Sequence, residues 1–475
     1  MINLIRKWQV LSPAVKASIA FLVASVLTKG ATFLSTPIFT RIMSEGEIGS
    51  VGSFLSLRGI YEVIATLSLT SLGVINVGMS KHTEEKEREG YLSAVVGFCI
   101  CFSVITGIIL YTIIIFFFED IVLPKVFIFL MITHAIFTPA TSFWIMKERY
   151  EFRYKKVFFV TIFQILTGQL FAIIAISIAR ENLDEVRLLA YAIVDYSIGL
   201  YFILNLSLKG KRFYDSRIWI DTFRFALPLI PHYLASVVLT GSDRIMIRFL
   251  ISDSAAGIYT VVYGVGSIGT IIWGAIQGSI TPVIYKNMNN ENAANIQELS
   301  KKLIIIFGTM CFLISLLAPE VVAFLGPSSY LSGISIVPPV IGAVLVSCLY
   351  NLFSIVVFYY KKPLFIAFAS IVAAIINIGL NLIFIPKYGF VAAGYTTLVS
   401  YIVLALMHYI NMKKIQKINL YNCKQLFIIC GFFLVLCTLS KGIYNYNFLR
   451  YILSIIIVVF LIHNRKNFMQ LHAKR

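Results

Sequence analysis

Apolar runs, each about as long as a membrane crossing and separated by short polar turns, recur from one end of this chain to the other. A hydrocarbon core of roughly 30 Å takes about 20 helical residues. Fourteen stretches meet or approach that length: 17 to 38, 48 to 72, 91 to 117, 122 to 146, 157 to 179, 187 to 208, 223 to 250, 255 to 284, 303 to 325, 333 to 360, 364 to 386, 389 to 412, 425 to 440 and 449 to 463. A bilayer offers no water to backbone groups, so each stretch is predicted as a helix that closes its own hydrogen bonds. The expected fold class is an all-α polytopic membrane protein.

One segment occurs twice, about 208 residues apart. In the first copy an apolar span runs into Arg41, Ile42, Met43, Ser44, Glu45 and Gly46, reaches Gly49, and re-enters the membrane through Val51 and Phe54. In the second, a span runs into Arg248, Phe249, Leu250, Ile251, Ser252 and Asp253, reaches Gly257, and continues through Tyr259 and Val262. Ser-acid-x-x-x-Gly occupies the same place both times. Such internal duplication is a recurring build of secondary transporters, in which one half rocks against the other around a central site. It predicts two pseudo-symmetric six-helix lobes around a central cavity. The N-terminal lobe is expected over 1–222 (spans 1–6) and the C-terminal lobe over 223–424 (spans 7–12), with two further helices and a tail over 425–475.

Composition agrees with this class: of 475 residues, 59% are hydrophobic and only 13% charged, and the mean hydropathy is +0.87. The net charge of +18 would suggest nucleic acid on a soluble protein. Here its placement argues otherwise, because 29 of the 40 Lys and Arg fall in alternate loops, including Arg6, Lys7, Lys147, Arg153, Lys211, Arg217, Lys286, Lys361, Lys413, Lys417 and Arg465. The positive-inside rule puts those loops and both termini in the cytoplasm. No nucleic-acid partner is expected. The first span lacks a small-residue cleavage site and is expected to remain as a helix. Seven cysteines lie in spans or at their cytoplasmic ends, which speaks against a disulfide framework. Cys423, Cys430 and Cys437 lack His or acid partners, so packing rather than metal binding is expected of them.

Connections are short, and only 80–90, 209–222 and 285–302 exceed a turn or two. No soluble catalytic domain fits between the spans, and no nucleophile, base and oxyanion set is visible, so no enzyme and no cofactor are expected. Gly264, Gly266 and Gly269 match GxGxxG, but without a preceding strand they read as helix-packing glycines.

Charges inside spans normally face a cavity or a partner. This chain has Lys29 in span one, Arg58 and Glu62 in span two, Asp195 in span six, and Asp243, Arg244 and Arg248 in span seven. Arg58 and Glu62 are i,i+4 and suit either a local ion pair or a ligand. Arg244 and Arg248 are also i,i+4, a like-charged stack that is unfavourable unless something anionic lies against it. Either Arg248 snorkels to the outer boundary while Asp243 neutralises another helix, or these arginines and Lys29 line a cavity that holds an anionic head group such as a pyrophosphate. Arg41 is expected at the outer end as a gate or orientation residue. Glu62, Asp195 and Asp243 are the candidate cavity or coupling acids, for protons or Na+, with the membrane potential as an alternative drive. His134 and His232 read as structural groups, and no metal site is expected.

With these residues assembled, the chain resembles the Wzx-type polysaccharide flippases, in the superfamily that also contains multidrug exporters and lipid II flippases. The resemblance rests on Thr36-Pro37-Ile38-Phe39-Thr40-Arg41 with Glu47 and Gly49, and on Ser242-Asp243-Arg244-Ile245-Met246-Ile247 followed by Gly257 and Tyr259. A third block runs from Asn377-Ile378-Gly379-Leu380-Asn381 through Ile385-Pro386, Gly389, Ala392-Ala393-Gly394 and Thr397 to Ser400-Tyr401. It implies translocation of an undecaprenyl-pyrophosphate-linked glycan across a bacterial inner membrane, for O-antigen, capsule or another surface polysaccharide. Membrane lipids and a polysaccharide polymerase complex would be its partners. Lipid II flippases and cation-coupled multidrug exporters are the competing readings, and a scramblase or non-transporting partner of the assembly complex would carry the same spans.

Overall fold

A computed structural model describes residues 13–117, 124–416 and 418–464. The basic termini with Arg6, Lys7, Arg465, Lys466, Lys474 and Arg475, and Lys417, lie outside the described residues. Within them the secondary structure is helical throughout, and twelve helices are long and apolar enough to cross a membrane. The helices are α1 (Pro13–Ile42), α2 (Glu45–Ala65), α3 (Leu72–Met79), α4 (Glu85–Phe117), α5 (Lys125–Phe137), α6 (Pro139–Tyr150), α7 (Tyr154–Ile178), α8 (Leu183–Gly210) and α9 (Ser216–Ala226). They continue as α10 (Ile230–Leu250), α11 (Asp253–Asn289), α12 (Ala293–Leu316), α13 (Ala318–Leu325), α14 (Val337–Tyr359), α15 (Pro363–Tyr388), α16 (Val391–Ile415), α17 (Cys423–Leu439) and α18 (Asn447–His463). The fourteen expected spans all coincide with helical segments. Two of them fall outside the twelve: α2, which carries Arg58 and Glu62, and α18, which has 17 residues.

Several helices extend beyond the predicted spans. The expected polar connector 285–302 is reduced to a break at Asn290–Asn292, where the Asn292 side chain caps α12 by accepting from Asn295 N at 3.1 Å. Span two closes early, at Ala65, because the chain turns through Leu67 (φ 51°) and Ser68 (φ 55°), both in the left-handed region. Helix ends are charged in the sense the peptide dipoles favour. Glu45 and Glu47 open α2, Asp184 and Glu185 open α8, and Arg41, Lys286, Lys413 and Lys414 lie in last turns.

The chain divides into two compact units, Met1–Met43 with Ser53–Gly241, and Ser44–Gly52 with Ser242–Arg475. In the first, α1 packs on α7, α7 on α8, and α8 on α4. Leu69, Leu92, Val95, Phe143 and Phe202 belong to one buried core in this unit. Beside it, cations counted from sequence as loop charges are paired. Lys147 is 3% exposed and lies 2.7 Å from Glu89, while Arg153 lies 3.0 Å from Glu85 and 3.1 Å from Glu151.

In the second unit α14 is enclosed by α11, α12, α16 and α17. Gly266 and Gly269 face Val340 and Val344 of α14, so two of the GxGxxG glycines serve helix packing. The repeated Ser-acid-x-x-x-Gly motif has a local meaning here. Ser44 and Glu47 form a reciprocal cap at 2.9 Å, and Ser252 accepts from Ala255 N at 3.1 Å. A Cβ on Gly49 would fall on the Asp253 carbonyl, and one on Gly257 on the Glu45 carbonyl. The two helix starts therefore approach backbone to backbone, which only glycine permits.

The last helix is held by a buried arginine. Arg450, 2% exposed, donates to the Leu316 carbonyl at 3.0 Å, Glu320 Oε2 at 2.7 Å and Asn447 Oδ1 at 2.6 Å, and Tyr451 donates to Glu320 Oε1 at 2.9 Å. Partial burial works against the Glu320 charge, but hydrogen bonds from Arg450, its own backbone and Tyr451 outweigh it and hold the carboxyl below its ordinary value of 4.5. A carboxylate depressed in the folded state contributes stability above its unfolded pKa and loses it as pH falls through the folded pKa. Glu320→Gln is therefore expected to melt a few degrees below the parent protein at pH 7 in detergent. Scans at successively lower pH should show that gap closing only below pH 4.5.

Candidate functional site

A charged cluster is built inside the first unit from three helices. On α8 the positions 188, 191, 192, 195 and 196 form one helical stripe, Leu188, Tyr191, Ala192, Asp195 and Tyr196. With Leu130 and His134 of α5 and Phe54 and Arg58 of α2, they line a small cavity with room for about one water molecule. Arg58 is the cation of this cluster. Its Nε–H is buried and meets no acceptor among the described residues, and its guanidinium carbon stands 6.0 Å from the Phe54 ring centroid.

Around it lie the acids. Glu62 follows Arg58 by one turn of α2, and its Oε2 is 3.8 Å from His134 Nε2. Asp195 Oδ1 accepts from Gln164 Nε2 of α7 at 2.8 Å. The Arg58 charge acts on Glu62, His134, Asp195 and Tyr196 alike. A buried guanidinium donor without an acceptor is costly. It is also a ready site for an oxyanion, because its planar fork matches phosphate oxygens.

Three sequence-identified site residues thus come together: Arg58, Glu62 and Asp195. Lys29 lies apart on α1, exposed, with no hydrogen bond or ion pair among the described residues. Arg41 is exposed and donates from Nη1 to the Pro37 carbonyl at 2.8 Å, capping the end of its own helix.

The second unit revises the reading of span seven. Asp243, expected to line a cavity, is 2% exposed and fully engaged. Its Oδ2 accepts from the Tyr259 hydroxyl at 2.6 Å and the Thr397 hydroxyl at 2.7 Å, and its Oδ1 accepts from Asn381 Nδ2 at 2.7 Å. Asn381 in turn accepts from Thr396, and Ser242 donates to Asn377 Oδ1 at 3.1 Å. This network ties α10, α11, α15 and α16 together, so Asp243 acts as a tertiary anchor. Arg248, expected with Arg244 against an anion, instead points its Nε at Asp253 Oδ1, 2.6 Å away, in a charge contact that is not aligned as a hydrogen bond. The acid of the repeat motif was the missing partner. Arg244 lies over the Tyr263 ring at 4.9 Å. The i,i+4 arginines therefore do not stack.

Sequence reasoning took His134 as structural and drew nothing from Gln164, and it missed Tyr191 and Tyr196. The 3–4 spacing along α8 was their one local signal. Arg187 packs over Phe39 at 3.6 Å and Tyr191 at 5.7 Å. Cys311, Cys348, Cys430 and Cys437 are buried free thiols within the second unit.

Against known proteins, the model of the polysaccharide biosynthesis protein family matches residues 14–288, more than half of the chain. A Haemophilus influenzae protein described as Lsg locus putative protein 1 is 22% identical over 293 residues, which are 60% of this chain and 69% of that protein. Among solved structures, the lipid II flippase MurJ in an inward closed conformation is similar with a TM-score of 0.64 at 14% identity, covering 96% of this chain and 100% of that one. An inward-facing multidrug resistance MATE family transporter of the MOP superfamily gives 0.59 at 13% identity, covering 81% and 94%. At such identities the structural likeness speaks for the fold, and the family match carries the assignment. The chain belongs to the polysaccharide biosynthesis protein family, as a multi-pass membrane protein.

Proposed function

We propose that this protein is a flippase that carries an undecaprenyl-pyrophosphate-linked oligosaccharide repeat unit from the cytoplasmic to the periplasmic leaflet of a bacterial inner membrane, by alternating access. The observation that supports this most is the Arg58 guanidinium, set among α2, α5 and α8 with its Nε–H buried and unmatched among the described residues. A pyrophosphate supplies the acceptors that the protein does not.

Glu62 and Asp195 then give the coupling. Both share the field of Arg58. An arriving anion takes the guanidinium, and the acids it releases take a proton or Na+ in exchange. An interior-negative potential drives outward movement of net anionic charge by about 2.3 kcal/mol per elementary charge per 100 mV. In this reading both termini face the cytoplasm and the flippase feeds a polysaccharide polymerase. The same acids are the specific feature that favours a second reading, cation-coupled drug export.

The test is the lipid-linked oligosaccharide pool, resolved by leaflet and mass, in cells lacking the gene and in cells with it restored. Accumulation of the complete pyrophosphate-linked unit on the cytoplasmic side, cleared on restoration, is the expected result. An unchanged pool, in a strain with no second flippase, favours export of another solute.

A further inference from the structure

Between α8 and α10 the chain forms a surface that the transport reading leaves unused. Helix α8 ends at Gly210, where a Cβ would collide with the Glu89 carbonyl, and Lys211 follows in the left-handed region (φ 53°). Asp215 then caps α9, accepting from Arg217 N at 3.0 Å and Ile218 N at 3.1 Å. At its far end a 3-10 turn, Leu227–Leu229, contains Pro228 and separates α9 from α10. The apolar stretch Ser216–Leu250 has 35 residues. At 1.5 Å per residue it is about 50 Å long, well beyond a core of roughly 30 Å. The excess falls on the first turns, where Arg217, Asp221 and Arg224 would be costly inside the hydrocarbon core and fit its boundary instead.

One face of α9 is taken up by protein. Trp219 Nε1 donates to the Ala94 carbonyl at 2.9 Å and its ring meets Phe98 at 5.6 Å, while Thr222 and Ala226 are buried. On the opposite face Arg217 and Arg224 are exposed, seven residues and therefore about 10 Å apart. Ile220 lies between them, 50% exposed, with the exposed rings of Phe223 and Phe225 on its flanks. From Lys209 to Phe225 the chain carries five cations (Lys209, Lys211, Arg212, Arg217, Arg224) against Asp215 and Asp221. Only Arg212 pairs among the described residues, with Asp215 at 3.3 Å. Unpaired arginines beside exposed apolar side chains, held at a membrane boundary, complement a surface that is anionic outside and apolar beneath. A soluble acidic partner would account for the arginines but not for Ile220 and the phenylalanines.

We propose that Lys209–Phe225 is a binding surface for anionic phospholipid, with Arg217 and Arg224 on headgroup phosphates and Ile220 and Phe223 in the acyl boundary. The full-length protein, purified in detergent and titrated separately with phosphatidylglycerol and phosphatidylcholine, tests it by native mass spectrometry. Phosphatidylglycerol should be retained about tenfold better, and Arg217→Gln/Arg224→Gln should bring the two lipids close to parity. Equal retention of both lipids by the parent protein overturns the proposal. So does a double variant that melts like the parent and keeps the preference. If the double variant does not fold, the parent decides by salt: a preference that does not weaken between 0.05 and about 0.5 M NaCl overturns a phosphate-pairing surface. Competition by poly-glutamate as strong as by phosphatidylglycerol vesicles points to an acidic protein and likewise overturns it.

Discussion

Arg58→Ala is expected to lower transport of the lipid-linked glycan at least about tenfold without unfolding the protein, and Arg58→Lys to recover only part of it. The reason is a difference in what each change removes. Arg58 gives up no hydrogen bond among the described residues, so truncation leaves no orphaned acceptor and relieves an unmatched donor. What is lost is the planar fork that can engage two phosphate oxygens at once, and lysine restores the charge without that geometry. The cytoplasmic-leaflet pool of pyrophosphate-linked glycan, normalised to folded protein in the membrane, is the readout. An unchanged pool in Arg58→Ala would remove Arg58 from the substrate path. A fall matched by loss of folded protein would instead make it a structural partner of Glu62 and Asp195.

How much of this was legible beforehand depends on where each partner stands in the chain. The helices were readable because a bilayer forces a long apolar run to satisfy its own backbone. Arg58 and Glu62 were readable as neighbours because they are one turn apart on the same helix. Asp243 was not, since its three donors, Tyr259, Asn381 and Thr397, come from three other helices up to 154 residues away. Nothing in local spacing says that an aspartate in a span meets hydroxyls and an amide rather than a cavity. Arg248 shows the converse. Its partner Asp253 stood in the repeat motif all along, five residues away, but across a helix break where i,i+4 geometry no longer applies. The polar connector 285–302 reads from its composition as solvated and partly helical, and it is nearly all helix, because Asn287 and Asn295 continue a helix once it has left the apolar run and bond each other at 2.8 Å.

Asp243 supplies the other large effect, on stability. Asp243→Ala removes an acceptor that takes three hydrogen bonds in a site 2% exposed, and leaves the Tyr259 and Thr397 hydroxyls and the Asn381 amide without their partner. Each orphaned buried group costs about 1–3 kcal/mol, so a loss of about 3 kcal/mol or more is expected, seen as a lower melting temperature and a poor yield of monodisperse protein. Asp243→Asn should fall between the two. Its amide keeps the size of the side chain and one acceptor oxygen, and the two hydroxyls can rotate to accept from the new NH2 group. That variant also separates anchoring from coupling. If Asp243 only holds α10, α11, α15 and α16 together, Asp243→Asn protein that has folded should transport with the pH dependence of the parent. If the aspartate carries a coupling proton, the same protein should stay folded and lose its pH dependence, and the anchor account would fail. The corresponding change at Asp195, which has one hydrogen bond at 2.8 Å and lines the Arg58 cavity, is expected to do the reverse: little loss of stability and a flattened pH profile.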